Sequence, residues 1–268
     1  MNYLAAPTLY DWPEIRRETD ACWHSITDAL RACGVRAPPA LTRDRSVEDL
    51  WNDPGLLLGQ TCGYPFVTRL RNRVRLVGTP CYAVDGCDGP YYRSFVVARR
   101  SHKKCSLRQL RGLRVAINGR DSQSGYSALR RLIAPLAEQG RFFSSVLTTG
   151  SHRGSMRAVA DGRADVCAVD AVCWALAARH DPAVQARLIV IAETPPTPGL
   201  PLICASSVAA TVMVGLRASV TAVLRQGMLA ATRHALCIGG IGWVPEHAYR
   251  VILRMETEAV ALGYSELA

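Results

Sequence analysis

Lysine is almost missing from this chain: of its 32 basic residues only Lys103 and Lys104 are not arginine. With alanine abundant, that bias reflects a GC-rich coding sequence more than a functional demand. The formal charge is +10, yet no basic arm or dense helical stripe carries it, and the one cluster, "RLRNRVR" from Arg69 to Arg75, has no aromatic residues interleaved for stacking on bases. A solvated loop and edge strand explain that cluster better than a nucleic-acid surface, and the excess charge favours anionic ligands over cationic ones. No long apolar run is present either. The most apolar stretch, "LICASSVAATVMVGL", is too short for a membrane span and is followed by Arg217. The ten cysteines form no CxxC pair and have no partnered histidine spacing, so neither a zinc site nor a disulfide framework is indicated, and a reducing compartment suits them. The opening "MNYLAAPTLYDWPEIRRETD" lacks a basic n-region, an apolar core and a cleavage site. As written, the chain is expected to stay in the cytoplasm; a start further upstream would allow export to the periplasm. No repeat, low-complexity linker or helix-turn-helix segment is found, which argues for interwoven lobes and against direct gene regulation.

What remains is a chain about half apolar, enough for a proper core. "NYLAAPTLY" reads as a first strand, and "PEIRRETDACWHSITDALRACG" as a helix closing at Gly34. "GLLLGQ" is a buried strand running into the turn-rich "TCGYP", and "RVRLVGTPCYA" a further strand. Trp23 and Trp51 sit among helical-period apolar residues and are assigned to the core; Trp12 is read as a hydrophobic staple after the first strand. "YYRSFVVARR" and the proline-rich passage after "RLIVIAET" read as two extended crossings, near residues 92–97 and 194–204, that bracket an inserted lobe. Within it, "LRVAIN" is a strand, "SGYSALRRLIAPLAEQG" a helix closing at Gly140, "FFSSVLTTG" a strand, and "DVCAVD" a strand that turns helical near Asp170. The tail supplies two amphipathic helices. Strands alternating with helices predict an α/β fold with mainly parallel sheets, whose ligand crevice lies beyond the carboxyl ends of the strands. The expected division is residues 1–94 plus 197–268 for the first lobe and 95–196 for the second.

Two strand–helix junctions carry the chemistry. At the first, Ser122, Gln123 and Ser124 open a helix directly after "LRVAIN". A helix start leaves backbone N–H groups unpaired and carries a partial positive charge, so an anion sits there without needing lysine, and serine hydroxyls add donors. The plain alternative is that Ser122 or Ser124 is simply an N-cap. At the second, "TTGSHRGSMR" repeats the design: strand, Gly150, then Ser151 and His152. His152 either donates to an anion or titrates near neutrality, or it is a surface histidine in a first turn. Asp170, at the end of "VCAVD", either accepts from a ligand hydroxyl or ammonium or caps the next helix. Cys62 in "QTCGYP" is read as a small lining residue, since a catalytic thiol needs a base nearby.

The runs "LRQLRGLRVAINGRDSQSGYSALRRLI", "TGSHRGSMRAVADGRADVCAVDA" and "TPPTPGLPLI", in that order, resemble the phosphate/phosphonate-binding family of ABC-transporter substrate-binding proteins. "LLLGQTCGYP" resembles that family's opposing strand and turn, and the likeness extends from Tyr3 to about Ile203. The resemblance implies a type 2 periplasmic-binding-protein fold, two α/β lobes flanked by helices that close by a hinge on a ligand in the cleft between them. It implies that Ser122, Gln123, Ser124, Ser151 and His152 hold an oxyanion, with Asp170 at the ligand's other end. Tyr10, Gln60, Thr61 and Cys62 would face the cleft from the first lobe, with Tyr92 and Arg93 at a crossing. Gly125 and Tyr126 match the motif and are assigned to helix packing. Gln123 stands where the family often has a threonine, which opens the ligand to oxyanions other than phosphonate. The implied function is capture of a small oxyanion for uptake, with an ABC permease as partner and no cofactor, metal, nucleic acid or membrane insertion. The rival reading is a cytoplasmic enzyme on the same fold, as in menaquinone and pyrimidine pathways, with His152 and Asp170 as acid and base and Cys62 as a third participant. A ligand-sensing module is a third reading.

Overall fold

The computed structural model describes residues 2–102 and 105–268. The chain forms two compact units. Unit 1 comprises Met1–Ala83, Asp88–Tyr91 and Pro198–Ala248; unit 2 comprises Val84–Cys87, Tyr92–Thr197 and Tyr249–Ala268.

Unit 1 is built on a five-stranded sheet in the order Leu4–Ala5, Leu56–Gln60, Leu202–Ala205, Val74–Tyr82, Ile238–Gly242. Leu4–Ala5 runs parallel to Leu56–Gln60, and the remaining neighbours are antiparallel. The first strand is only two residues long, because Pro7 cannot donate to a ladder. All five residues of Leu56–Gln60 are buried, as a central strand covered on both faces requires. The helix Arg16–Ala32 lays Cys22, Trp23, Ile26 and Leu30 inward at helical spacing. Trp23, Trp51 and Trp12 are all core residues; Trp23 Nε1 donates to the Pro38 carbonyl at 3.1 Å and Trp51 Nε1 to the Gln60 carbonyl at 2.9 Å.

Unit 2 has a second five-stranded sheet, in the order Leu188–Glu193, Ser94–Arg99, Val166–Asp170, Arg114–Ile117, Ser145–Thr148. Parallel pairing joins Arg114–Ile117 to both of its neighbours; Ser94–Arg99 is antiparallel to Val166–Asp170 and to Leu188–Glu193. Both sheets are therefore mixed, where the sequence suggests mainly parallel ones. The difference arises at Ser94–Arg99 and Leu202–Ala205, the segments read as crossings, and at Ile238–Gly242, each of which runs against the strands beside it. The helical run after Asn118 ends at Leu136, not Gly140. Gly140 instead completes a tight turn with Gln139, both at positive φ, that lets Glu138 pair with Arg141.

The segment Tyr249–Ala268, expected in the first lobe, packs in unit 2. Its helix Val251–Ala261 sends Ala259 into the cluster of Ile117, Leu129, Ile133 and Phe142, which Tyr264 and Leu267 complete. Polar ties reinforce the seam. Buried Arg130 donates to the Ser265 carbonyl at 2.6 Å and pairs with Glu256 at 3.1 Å, and the Phe142 and Phe143 amides both donate to the Ala268 carbonyl. An amphipathic helix advertises its buried face but not the surface that face meets.

Candidate functional site

Beyond the carboxyl end of Arg114–Ile117, Asn118 and the turn to Asp121 lead into the first helix start. Ser122 holds extended backbone, and its Oγ accepts the Gly125 amide at 3.0 Å, a regular N-cap. The first turn is a wide one: the Ser127 amide donates to the Ser122 carbonyl five residues back, at 3.0 Å, so Gln123 to Ser127 form a π-helical turn before the α-helix Ala128–Ile133 begins. Such turns recur at functional sites because they widen the ring of backbone N–H groups at the helix mouth.

The second start lies beside it. The Thr149 amide donates to the Ile117 carbonyl at 2.8 Å, which ties the end of Ser145–Thr148 to the end of its neighbour. Gly150 then turns at φ +82°, a left-handed conformation that any side chain would strain. Ser151 Oγ accepts the Gly154 amide at 3.0 Å, and His152 is the first residue of the helix His152–Ala160. Both serines, Ser122 and Ser151, thus each accept one capping amide at the hydroxyl oxygen.

The two starts meet through side chains. Ser124 Oγ lies 2.8 Å from His152 Nε2 and 3.5 Å from Ser122 Oγ. His152 Nε2 is 3.9 Å from Asp170 Oδ2 on the next strand, and Asp170 Oδ1 accepts the Cys173 amide at 2.8 Å, capping the helix Ala171–His180. All these side chains are buried. Burial drives the His152 pKa below its ordinary value, against the opposing pull of Asp170 and the Ala168 carbonyl, so the imidazole is neutral. The Cys173 thiol is raised well above its ordinary value, by burial first and by Asp170 second. The structure thus brings together Ser122, Ser124, His152 and Asp170, with Ser151 at the start of the same helix as His152.

Gln123 behaves differently. Its side chain is fully buried and its Nε2 donates to Met255 Sδ at 3.4 Å, so the amide that replaces the family's threonine turns toward the Val251–Ala261 helix. Arg93 forms an ion pair with Glu193 at 2.7 Å, and Tyr92 beside it is buried.

In unit 1, Gln60 is buried and its carboxamide is spent internally: Oε1 accepts the Leu9 amide, while Nε2 donates to Tyr82 Oη at 3.1 Å and to the Leu200 carbonyl at 3.2 Å. Tyr10 packs edge-on against Tyr82, with ring centroids 5.2 Å apart. Tyr10 and Gln60 line an apolar cavity of roughly 60 Å³ with Trp23, Leu58 and Ile238. Thr61 is buried, its amide donating to the Pro201 carbonyl, and Cys62 precedes the short helix Gly63–Thr68 with its carbonyl accepting from Thr61 Oγ1. Cys62 belongs to unit 1, whereas His152 and Asp170 belong to unit 2. Among the described residues, no group of three or more histidines, cysteines or carboxylates is placed to hold a metal ion.

The family described as ABC transporter, phosphonate, periplasmic substrate-binding protein matches residues 58–235, well over half of the chain. The chain belongs to this family. It is a family of binding proteins, not of enzymes. Solved structures agree on the fold. PhnD1 from Prochlorococcus marinus, in complex with methylphosphonate, superposes with a TM-score of 0.75 at 14% identity over 96% of this chain and 98% of that one. A binding protein component of an ABC phosphonate transporter from Pseudomonas aeruginosa, PA3383, gives 0.73 at 15% identity over 98% and 88%. XAC2383 from Xanthomonas citri, bound to chloride ion, gives 0.71 at 16% over 97% and 98%. No curated protein sequence matches the chain. Among the described residues of this phosphonate-family protein, no helix is long and apolar enough to cross a membrane.

One residue of the site escapes sequence reasoning. Asn118 Oδ1 is buried without a hydrogen-bond partner, and a Cβ added to Gly125 would lie 1.9 Å from it and 3.1 Å from His152 Cε1. Asn118 thus sits on the first helix start, against the bare Cα of Gly125. The only hint in the sequence is an amide residue ending an otherwise apolar strand, a position equally common in turns. Gly125, read as a packing residue, is required by this close approach.

Proposed function

We propose that the protein is a solute receptor that captures a small oxyanion, unchanged, at the two helix starts of unit 2 and delivers it to an ABC-type permease from the periplasmic side. The observation that carries this reading is the convergence of Ser124 and His152, from two different helix starts, to 2.8 Å. Ser122, Ser124 and Ser151 offer hydroxyl protons, and the two helix mouths add amides and partial positive charge without a fixed cation. Such a site recognises tetrahedral oxyanions by direction as well as by charge, and neutral donors release their guest more readily than a buried arginine would. Asp170 is assigned to a hydroxyl or ammonium elsewhere on the ligand. Within unit 2, Tyr92 remains a candidate for its non-oxyanion part, while Gln60, Gln123 and Arg93 act through the internal contacts described above.

Methylphosphonate, the ligand of the Prochlorococcus protein, is the natural first probe. Isothermal titration with methylphosphonate, phosphate, phosphite, a sulfonate and a small carboxylate should give selective, saturable binding of a tetrahedral oxyanion. Ser124→Ala should weaken it by about tenfold or more, as loss of one charge-assisted hydrogen bond predicts, with the melting temperature nearly unchanged. Equal binding by the variant would sink the assignment. Mass spectrometry of the incubated ligand should show no altered compound; turnover would favour an enzyme.

A further inference from the structure

We infer that the oxyanion and a proton enter the site together, the proton being held on His152. The inference rests on the capture reading above and deepens it by naming the charge state of the occupied site.

A serine hydroxyl has one proton to give. With Ser124 Oγ 2.8 Å from His152 Nε2, a neutral ring that accepts at Nε2 consumes that proton, and Ser124 then turns only lone pairs toward an anion. The other neutral tautomer frees the hydroxyl but leaves a bare lone pair at Nδ1, which is buried and has no hydrogen-bond partner. The first neutral form is a poor anion site; the second frees the Ser124 proton but sets no positive charge to face Asp170 and the anion.

The imidazolium does. Its Nε2–H donates to Ser124 Oγ and faces Asp170 Oδ2 at 3.9 Å. The Ala168 carbonyl beside the ring also favours the proton. The surroundings of the ring are thus acceptors, apart from the one hydroxyl whose direction is in question. Once the ring is charged, the Ser124–His152 hydrogen bond reverses, and the Ser124 proton is released to the ligand. The cation also stands between Asp170 and the incoming anion, two negative groups that would otherwise repel. Burial keeps the ring neutral while no anion is there; the anion supplies the missing stabilisation.

The charged groups on the neighbouring elements are otherwise occupied. On its own helix, Arg153 and Arg157 are held by Asp181. Arg93, ahead of the strand Ser94–Arg99, is paired with Glu193, and Arg114 lies at the far end of its strand with Asp165. On the helix Ala128–Ile133, Arg130 is taken by Glu256; on Ala171–His180, the Cys173 thiol is held neutral by burial. Asp170 is the ionisable group that acts on the ring.

The test is calorimetry with methylphosphonate at about pH 8.5, where phosphonates are mostly dianions, in buffers of different ionisation heat. The expected result is uptake of about one proton per methylphosphonate, with affinity falling about tenfold per pH unit toward pH 9, as one linked proton requires. Nitrogen-15 spectra of the unaltered protein should show both ring nitrogens of His152 protonated in the complex and one bare in the free protein. His152→Gln should bind more weakly and take up no proton. Binding without proton uptake, or a neutral ring in the complex, overturns this inference and leaves capture standing. Uptake that persists in His152→Gln overturns it too, because the proton then rides on the ligand. No binding of methylphosphonate at any pH overturns it together with the capture reading for phosphonates.

Discussion

The strands Arg114–Ile117 and Val166–Asp170 run side by side and carry polar residues at both ends, yet the two ends are finished in opposite ways. At the amino end, Asp165 accepts from the Arg114 amide and side chain and from Arg99, with contacts of 2.9 to 3.0 Å. Arg114 also donates to the Gly162 carbonyl, and its guanidinium holds the Asp165 carboxyl below the usual carboxylate range. Every one of those groups has a partner of opposite kind. At the carboxyl end, Asn118 Oδ1 and His152 Nδ1 are buried without a hydrogen-bond partner among the described residues. Buried polar atoms without a partner are uncommon, and each calls for a reason. The amino end is saturated within the fold; the carboxyl end is where the proposed oxyanion would find its partners.

That contrast can be broken from either end. The largest effect is expected from Asp165→Ala, which strands two arginines and a backbone amide at once. Urea denaturation should show it, while the folded fraction keeps its oxyanion affinity. If affinity falls in proportion, the two ends are not independent. Next comes Asn118→Asp, nearly isosteric but negative. A negative charge beside the helix start repels an incoming anion, and roughly a tenfold or greater loss of affinity is expected, with little change in melting. Unchanged titration would place Asn118 outside the site. Smaller again is Gly125→Ala, whose new Cβ meets Asn118 Oδ1. It should cost about 1 kcal/mol by overpacking, and Asn118→Ala in the same chain should recover most of it, a coupling that distant residues would not show.

The site end was the more legible of the two in the sequence. "SQSGYS" and "TGSH" each put small, donor-bearing residues where an apolar strand stops, which marks two helix starts, and capping accounts for Ser122 and Ser151. The paired end left no such trace. Arg114 and Asp165 are 51 residues apart, and nothing in either neighbourhood says that parallel pairing will set them side by side. The same limit explains Gln60: "LLLGQ" marks a residue at a strand end but not that Leu9, Tyr82 and Leu200 will consume its amide. It explains the tail as well, since Ile252, Met255 and Ala259 predict a buried stripe without saying which core receives it. Local pattern names the elements; partners brought in from elsewhere along the chain decide which polar groups remain free to work.

The smallest predicted effect separates the two ends along the pH axis. Asp165, held down chiefly by Arg114, and Asp181, held down chiefly by Arg153, have folded pKa values below their ordinary ones. Their stabilisation is complete above the ordinary aspartate value of about 3.9 and is lost as pH falls through the lower folded values. His152 is also depressed, by burial, but for a base the sign of the window differs: the unfolded chain takes up its proton first. Stability therefore begins to fall as pH drops below the ordinary histidine value of about 6.5 and stops falling at the lower folded one. Urea midpoints measured from pH 8 to 3 should descend in two steps. His152→Gln should remove the upper step alone, and Asp165→Asn should shrink the lower alone. A single step that either substitution alters would mean that the two ends of the sheet titrate as one network.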